Sequence, residues 1–282
     1  MKIAVITDTD SSLSKEIAAH YGIRQVPITV HFGEEMFRTG IDIDDRLLFE
    51  KVDALNKLPT TSAPSPGAFI EAFQAAFKDG AEAIICICVS SKVSATYASA
   101  VTACEHFPDR TIKVVDSLTL SLGEGFIAIE AAQMVRAGAS LDEVVVKAMA
   151  MSSQMHIYAV LATLKYLALS GRVGILVAGM ADTLNIKPIL TVQDGKLDLL
   201  ERVRTRKKAI ERMFDLAGTT MDGKKIEKVG IIHANALDGA KELQNQFCDR
   251  FAYPGEVMVA EFTAGLSVHA GAGLVGLVIL AS

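Results

Sequence analysis

Apolar residues fall along this chain in short runs, separated by polar loops and by segments with helical spacing. Residues 84–89 (Ile-Ile-Cys-Ile-Cys-Val) are apolar at every position, and four of the six are β-branched. A run this short without alternation predicts a strand buried on both faces, as in a parallel sheet. The hydroxyl-rich segment Ser90-Ser91-Lys92-Val93-Ser94-Ala95-Thr96-Tyr97 follows at once and leads into a helix. In open parallel sheets, ligands sit outside the carboxyl ends of the strands, commonly against helix N-termini with free N–H groups. Ser90, Ser91, Ser94 and Thr96 are therefore placed for polar contact, although an N-cap alone would use one of them.

From the start of the chain, residues 1–7 read as a strand, 8–12 as loop and cap, and 13–21 as a helix stopped by Gly22. Residues 26–32 read as a second strand, 33–35 as a turn, and 37–45 as a polar connection into a helix beginning near Asp44. The prolines of segment 59–66 forbid regular structure there, because each removes a donor and restricts its predecessor. A helix over 67–78, the strand 84–89, a strand over 112–115 and helices over 123–137 and from 142 follow. The pattern changes near Met151. An apolar helix over 161–167 stops at Ser170-Gly171-Arg172, a strand starts at Asn185, and Asp194-Gly195 makes a hairpin turn into a return strand over 197–205. A helix from Arg206, a strand over 227–233, a helix over 238–251 and a strand over 256–262 precede a closing apolar tail. Alternation of this kind predicts an α/β fold. A mostly parallel N-terminal sheet domain is expected over 1–155, with a smaller α/β domain over 156–282.

Composition sharpens this picture. The 282 residues can bury a large core, and half of them are hydrophobic with a mean hydropathy of +0.33. Aromatics make up only 6% and tryptophan is absent, so the apolar mass is aliphatic. That suits doubly covered strands, and equally a large apolar cavity. No segment reaches the roughly 18 apolar residues of a membrane span. The nearest, 270–281, is interrupted by Gly271, Gly273 and Gly276. The N-terminus meets Asp8 too early for a signal peptide. Cysteines 86, 88, 104 and 248 lack metal spacing, and Cys86 and Cys88 read as core. A reduced, cytoplasmic protein is expected.

Candidate chemistry lies in the loops. Asp8-Thr9, Ser90 to Thr96 and Asp116-Ser117 each follow an apolar strand, and parallel pairing would gather them at one sheet edge. The proline-bounded Thr61-Ser62 can lie over that edge. His269 precedes Gly271 and Gly273, where the backbone can approach a ligand closely. The other histidines (20, 31, 106, 156 and 233) have no ligand spacing and read as structural. Between Arg202 and Arg212 six basic residues face one acid, in a chain of net charge −5. The patch is too short, and too poor in aromatics, to suggest nucleic acid. Arg202, Arg204 and Arg206 alternate along a strand end and are expected to leave one face together.

Taken in order, these pieces resemble the DegV family, whose members of known role are bacterial fatty-acid-binding proteins. The resemblance spans the chain and rests on Thr7-Asp8-Thr9, Thr61-Ser62-Ala63-Pro64-Ser65, the serine segment 90–100, and Val115-Asp116-Ser117 with Ser121, Gly123 and Gly125. It continues through Gly171-Arg172-Val173, Asn185-Ile186-Lys187-Pro188, Arg202-Val203-Arg204-Thr205 and His269-Ala270-Gly271. It implies a two-domain α/β fold holding one long-chain fatty acid in an interdomain tunnel, with no cofactor and no enzymatic activity of its own. The family's headgroup site carries over onto Thr61, Ser62, Ser94 and His269. A separate fatty acid kinase subunit would turn the bound carboxylate into an acyl phosphate, with Arg172, Arg202 and Arg204 facing that partner. Transient contact with a membrane surface is compatible with such a role. Two positions depart from the family pattern: Ala95 stands where glycine is usual, and Ala272 where proline is.

Two rival readings differ in class. A binder of small carbonyls or sugar phosphates, related to dihydroxyacetone kinases, would need a compact polar pocket. A hydrolase would combine Ser94 and His269 with Asp8 or Asp116, but the chain has nothing like the Gly-x-Ser-x-Gly elbow there.

Overall fold

The computed structural model describes residues 1–171 and 186–282. Its first elements are β1 (Ile3–Asp8), a 3-10 turn (Thr9–Ser11), α1 (Lys15–Tyr21), β2 (Ile23–Val26), β3 (Thr29–Phe32) and β4 (Glu35–Arg38). Then come α2 (Asp45–Leu55), β5 (Thr60–Ser62), α3 (Pro66–Lys78), β6 (Ala83–Cys88), α4 (Thr96–Cys104) and β7 (Thr111–Asp116). The middle of the chain forms α5 (Leu122–Arg136), α6 (Leu141–Gln154), β8 (Met155–Val160) and α7 (Lys165–Ser170). The rest comprises β9 (Lys187–Gln193), β10 (Lys196–Val203), α8 (Arg206–Met221), β11 (Ile226–His233), α9 (Leu237–Phe251), β12 (Val257–Glu261), α10 (Ala264–Ala270) and β13 (Val275–Ala281).

Among the described residues these strands form three sheets. The order β2-β1-β6-β7 is parallel throughout. A six-stranded sheet, β10-β9-β8-β13-β11-β12, is antiparallel except for the pair β11–β12. The third, β4-β3-β5, is a small antiparallel sheet. Helices α3 and α4 cover one face of the parallel sheet, and α5 and α6 cover the other. The same α5 and α6 also pack on the six-stranded sheet, whose far face carries α8 and α9. The result is a layered α/β protein with a helix layer held between two sheets.

Strand periodicity explains how these layers share side chains. In β6, Ile85 and Ile87 enter the core between the sheets, while Ile84, Cys86 and Cys88 face α3 and α4. In β13, Val278 and Leu280 face that central core, and Leu277 and Ile279 face α8 and α9. Each isoleucine, leucine or valine so buried contributes about 1.5–3 kcal/mol. Helix α5 is buried at ten of its fifteen residues, as a helix lying between two apolar faces must be. The continuous run at 84–89 is thus a doubly covered parallel strand, as its pattern predicts.

Several local expectations need correction. Residues 26–32 are two strands in two different sheets, because Pro27 lacks the N–H that would continue β2. The polar stretch after the turn begins with β4, paired to β3. Segment 59–66 is regular at Thr60–Ser62: its prolines flank those residues and leave their N–H groups free to pair with β3. Residues 161–164 are not helical. Leu161 N donates to the Pro188 carbonyl at 3.1 Å, beside the sheet, and α7 starts only at Lys165. The strand β8 before it passes unseen in the sequence, as does the central place of β13 in its sheet. Among the described residues, no helix is long and apolar enough to cross a membrane.

Candidate functional site

Parallel pairing brings the carboxyl ends of β1, β6 and β7 to one edge, and the loops that follow are braced against each other. Asp8 accepts from Asp10 N and from Val89 N, each at 2.9 Å, so one carboxylate ties the first loop to the end of β6. Asp116 accepts from Ser91 N and Leu118 N, each at 3.1 Å. Below them, Thr7 Oγ1 donates to Glu124 Oε1 at 2.7 Å, with Asp8 beside it. Burial pushes the Asp8 carboxyl up to about 6 and raises Glu124 well above the carboxylate range, where the Asp8 charge adds to the effect. Within the serine loop, the Ser94 and Thr96 hydroxyls lie 2.8 Å apart, and Thr96 N donates to Ser94 Oγ at 3.3 Å.

Two histidine–hydroxyl pairs are anchored on β5. The ring Nε2 of His269, on α10, lies 2.9 Å from Thr61 Oγ1 on β5. His31 Nε2, on β3, lies 2.8 Å from Ser62 Oγ. The two pairs use opposite faces of β5, since successive strand residues alternate.

Between these groups and the six-stranded sheet lies a cavity of about 570 Å³. Thr61 and Ser62 of β5, Ser91 and Ser94 of the serine loop, and His269 of α10 line it. The sheet supplies Ile157, Ala159, Leu190, Val192, Leu197 and Ile232, a largely aliphatic wall. The β9–β10 hairpin joins this wall to the serine loop. Its two turn residues, Asp194 and Gly195, have φ of 49° and 80°, and the buried Ser90 hydroxyl donates to the Gly195 carbonyl at 2.7 Å. Only glycine fits there, because a Cβ would stand 2.5 Å from Ser90 Oγ.

Thr61, Ser62, Ser94 and His269, chosen from sequence, therefore line one cavity. Arg202 and Arg204 are exposed and do not line it, and Arg172 lies outside the described residues. Arg206 does not share their face. Strand β10 ends at Val203 and Thr205 caps α8, which ends the alternation. The half-buried Arg206 instead donates to the Gly273 carbonyl at 2.7 Å. His31 and Asp45 escape the sequence reading. The pairing of β3 with β5 is the signal for His31, and it is hidden when 26–32 reads as one strand. Asp45 is a buried carboxylate accepting from Ser267 Oγ on α10 at 2.8 Å. Near it is a second groove of about 540 Å³, lined by Asp42, Asp44, Asp45 and Glu261 among others, which shares Phe262 with the first cavity.

Fold and cavity together define a layered α/β protein with a mostly aliphatic pocket bordered by hydroxyls and an imidazole. The model of the family described as "Uncharacterised protein, DegV family" matches residues 2–282. The chain belongs to the DegV family. It is 34% identical to a DegV domain-containing protein of Halalkalibacterium halodurans, over 98% of this chain and 97% of that one. It is 31% identical to Protein DegV of Bacillus subtilis, over 98% of each. Among solved structures it is similar to a fatty-acid-binding DegV family protein of Thermus thermophilus, with a TM-score of 0.93, 29% identity and full coverage of both chains. It is also similar to DegV of Bacillus subtilis, described as a fatty acid binding protein, with a TM-score of 0.88, 30% identity and 99% of each chain covered.

Proposed function

We propose that this protein binds one long-chain fatty acid in the 570 Å³ cavity and presents its carboxylate to a separate fatty acid kinase in the bacterial cytoplasm. The observation that carries this reading is an aliphatic pocket bordered by hydroxyls and an imidazole. In this reading the pocket is the tunnel between domains 1–155 and 156–282. The acyl tail lies against Ile157, Ala159, Leu190 and Ile232, and the head meets Thr61, Ser62, Ser94 and His269. Each buried methylene contributes about 0.8 kcal/mol, so a sixteen-carbon tail gains roughly 12 kcal/mol before ordering costs. A carboxylate taken out of water costs several kcal/mol unless it is hydrogen-bonded. Hydroxyls and an imidazole supply those bonds without a fixed counter-charge, which suits an acid that must be handed on. The protein itself is then a carrier and not an enzyme. The site's internal hydrogen bonds favour this over a hydrolase, since His269 Nε2 faces Thr61 and the Ser94 hydroxyl faces Thr96.

Arg202 and Arg204 remain exposed, so their guanidinium groups are available to a phosphate or an acidic partner rather than to the resting head. Loading the delipidated protein with radiolabelled palmitate, then adding ATP and the host's fatty acid kinase, tests both steps. The parent chain is expected to load and to yield acyl phosphate. Arg202→Ala and Arg204→Ala load equally, and their transfer rate falls about tenfold, more steeply in added salt, as for a steered surface contact. A parent that does not load contradicts fatty acid binding. Variants that lose palmitate move the arginines into the head site, and variants with the parent's transfer rate make the patch an ordinary solvated surface.

A further inference from the structure

His269 has its place through α10, a helix of seven residues, so whatever holds α10 sets the imidazole. In front, the ring meets Thr61 at 2.9 Å. At the N-terminal end, Thr263 Oγ1 donates to Asp10 Oδ1 at 3.4 Å, and Gly265 packs so closely on Ile28 that a Cβ would come within 3.0 Å of its side chain. Behind the helix stands Asp45, the first residue of α2, only 2% exposed. Its Oδ2 accepts from Ser267 Oγ at 2.8 Å and from Asn235 N at 3.2 Å. One carboxylate oxygen thus joins α2, the turn after β11, and α10. Ser267 and His269 are two residues apart, about 200° around the helix, and so project from opposite sides of it. Leu266, His269 and Ala270 line the cavity, while Ala264 and Val268 pack in a core with Leu48 and Phe49 of α2.

We propose that Asp45 is a positioning residue: by holding Ser267 from behind α10 it sets the His269 imidazole at the cavity, and so raises affinity for a carboxylate head without touching the ligand. The proposal rests on the fatty-acid reading above. A buried carboxyl is a costly way to accept one hydroxyl, and its surroundings are mostly acidic. Asp44 precedes it on the chain, and Glu261 approaches from the end of β12. His233, at the end of β11, has its Nδ1 3.7 Å from Glu261 Oε1. Arg46 turns outward to Glu50 at 2.7 Å, and His269 lies on the far side of α10. Burial first, then the charges of Glu261 and Asp44, raise the Asp45 carboxyl to about 7. The Ser267 bond favours the charged form, so it is charge-assisted at alkaline pH and neutral at acid pH.

The test compares palmitic acid with 1-hexadecanol, which has the same tail and no carboxylate, on delipidated protein by calorimetry. Asp45→Ala is expected to weaken palmitate about tenfold, the scale of one hydrogen bond, and to leave hexadecanol unchanged. Ser267→Ala, which deletes one hydroxyl, repeats that selective loss. Asp45→Asn, which keeps an acceptor, recovers most of it and flattens the part of the pH dependence between pH 6 and 8 that the parent shows. In a His269→Ala background, Asp45→Ala costs nothing further. The proposal is overturned if acid and alcohol weaken together, if palmitate binds Asp45→Ala and Ser267→Ala as it binds the parent, or if the loss persists without His269. A parent chain with no affinity for palmitate contradicts the fatty-acid reading instead, before any variant is compared.

Discussion

Ala159→Phe is expected to lower affinity for a sixteen-carbon fatty acid about a hundredfold and to leave the fold intact. Ala159 lies on β8, paired with Leu190 and Gly276 on the flanking strands. Its methyl group lines the cavity on the side facing the central core. A phenyl ring there takes the space of roughly four methylenes of the tail, each worth about 0.8 kcal/mol, so about 3 kcal/mol of binding is lost. Because the ring enters a cavity and not a close-packed contact, it escapes the usual overpacking cost. The measurement is a palmitate titration beside a thermal melt. Unchanged affinity with an unchanged melt would place the tail elsewhere.

The head site carries the second large effect. Ser94→Ala and His269→Ala each remove a hydrogen bond to a charged acceptor, worth about 1.5–3 kcal/mol. Affinity for palmitate should fall by roughly one to two decades in each. Ser94→Ala also removes the acceptor of Thr96 N at the start of α4, so a modest loss of stability, up to about 1 kcal/mol, accompanies it. Hexadecanol, having no carboxylate, should bind both variants nearly as it binds the parent. If palmitate binds both variants like the parent, the head lies at another part of the cavity lining.

Much of this protein was legible in local patterns, and the reasons are physical. Residues 84–89 announce a doubly covered strand because both faces of β6 meet apolar layers. Gly22 and Asp194-Gly195 mark turns because their φ values, 69°, 49° and 80°, suit few other residues. The hydroxyl loops lie together because parallel strands end on the same side. What stayed hidden depends on partners far away in the chain. β5 is a strand only through β3, and Thr61 meets His269 across 208 residues. It was the family resemblance, and no local pattern, that set those two side by side. Asp45 looks like an ordinary first-turn acid on a helix, and only its contact with Ser267, 222 residues on, brings it behind the helix that carries His269. The three-arginine face failed for a local reason: the strand ends at Val203, before Arg204 and Arg206 can continue the alternation.

Buried carboxyls also make a statement about stability. Asp8, Glu124 and Asp45 all titrate above the ordinary carboxylate range in the folded chain. Through these groups the folded state holds protons that the unfolded state has released, and their contribution to stability declines as pH rises from about 4 through about 6 and about 7, where Asp8 and Asp45 titrate. The same acids organise the cavity's surroundings, Asp8 beneath the serine loop and Asp45 behind α10.

The central claim is that one long-chain fatty acid occupies the cavity, and a native mass spectrum of the protein as purified from bacterial cells tests it most directly. The account predicts a species heavier than the chain by one long-chain fatty acid, which organic solvent removes and added palmitate restores. A spectrum of the bare chain alone, unchanged by added palmitate, or a species carrying only a small phosphorylated carbonyl compound, would contradict it.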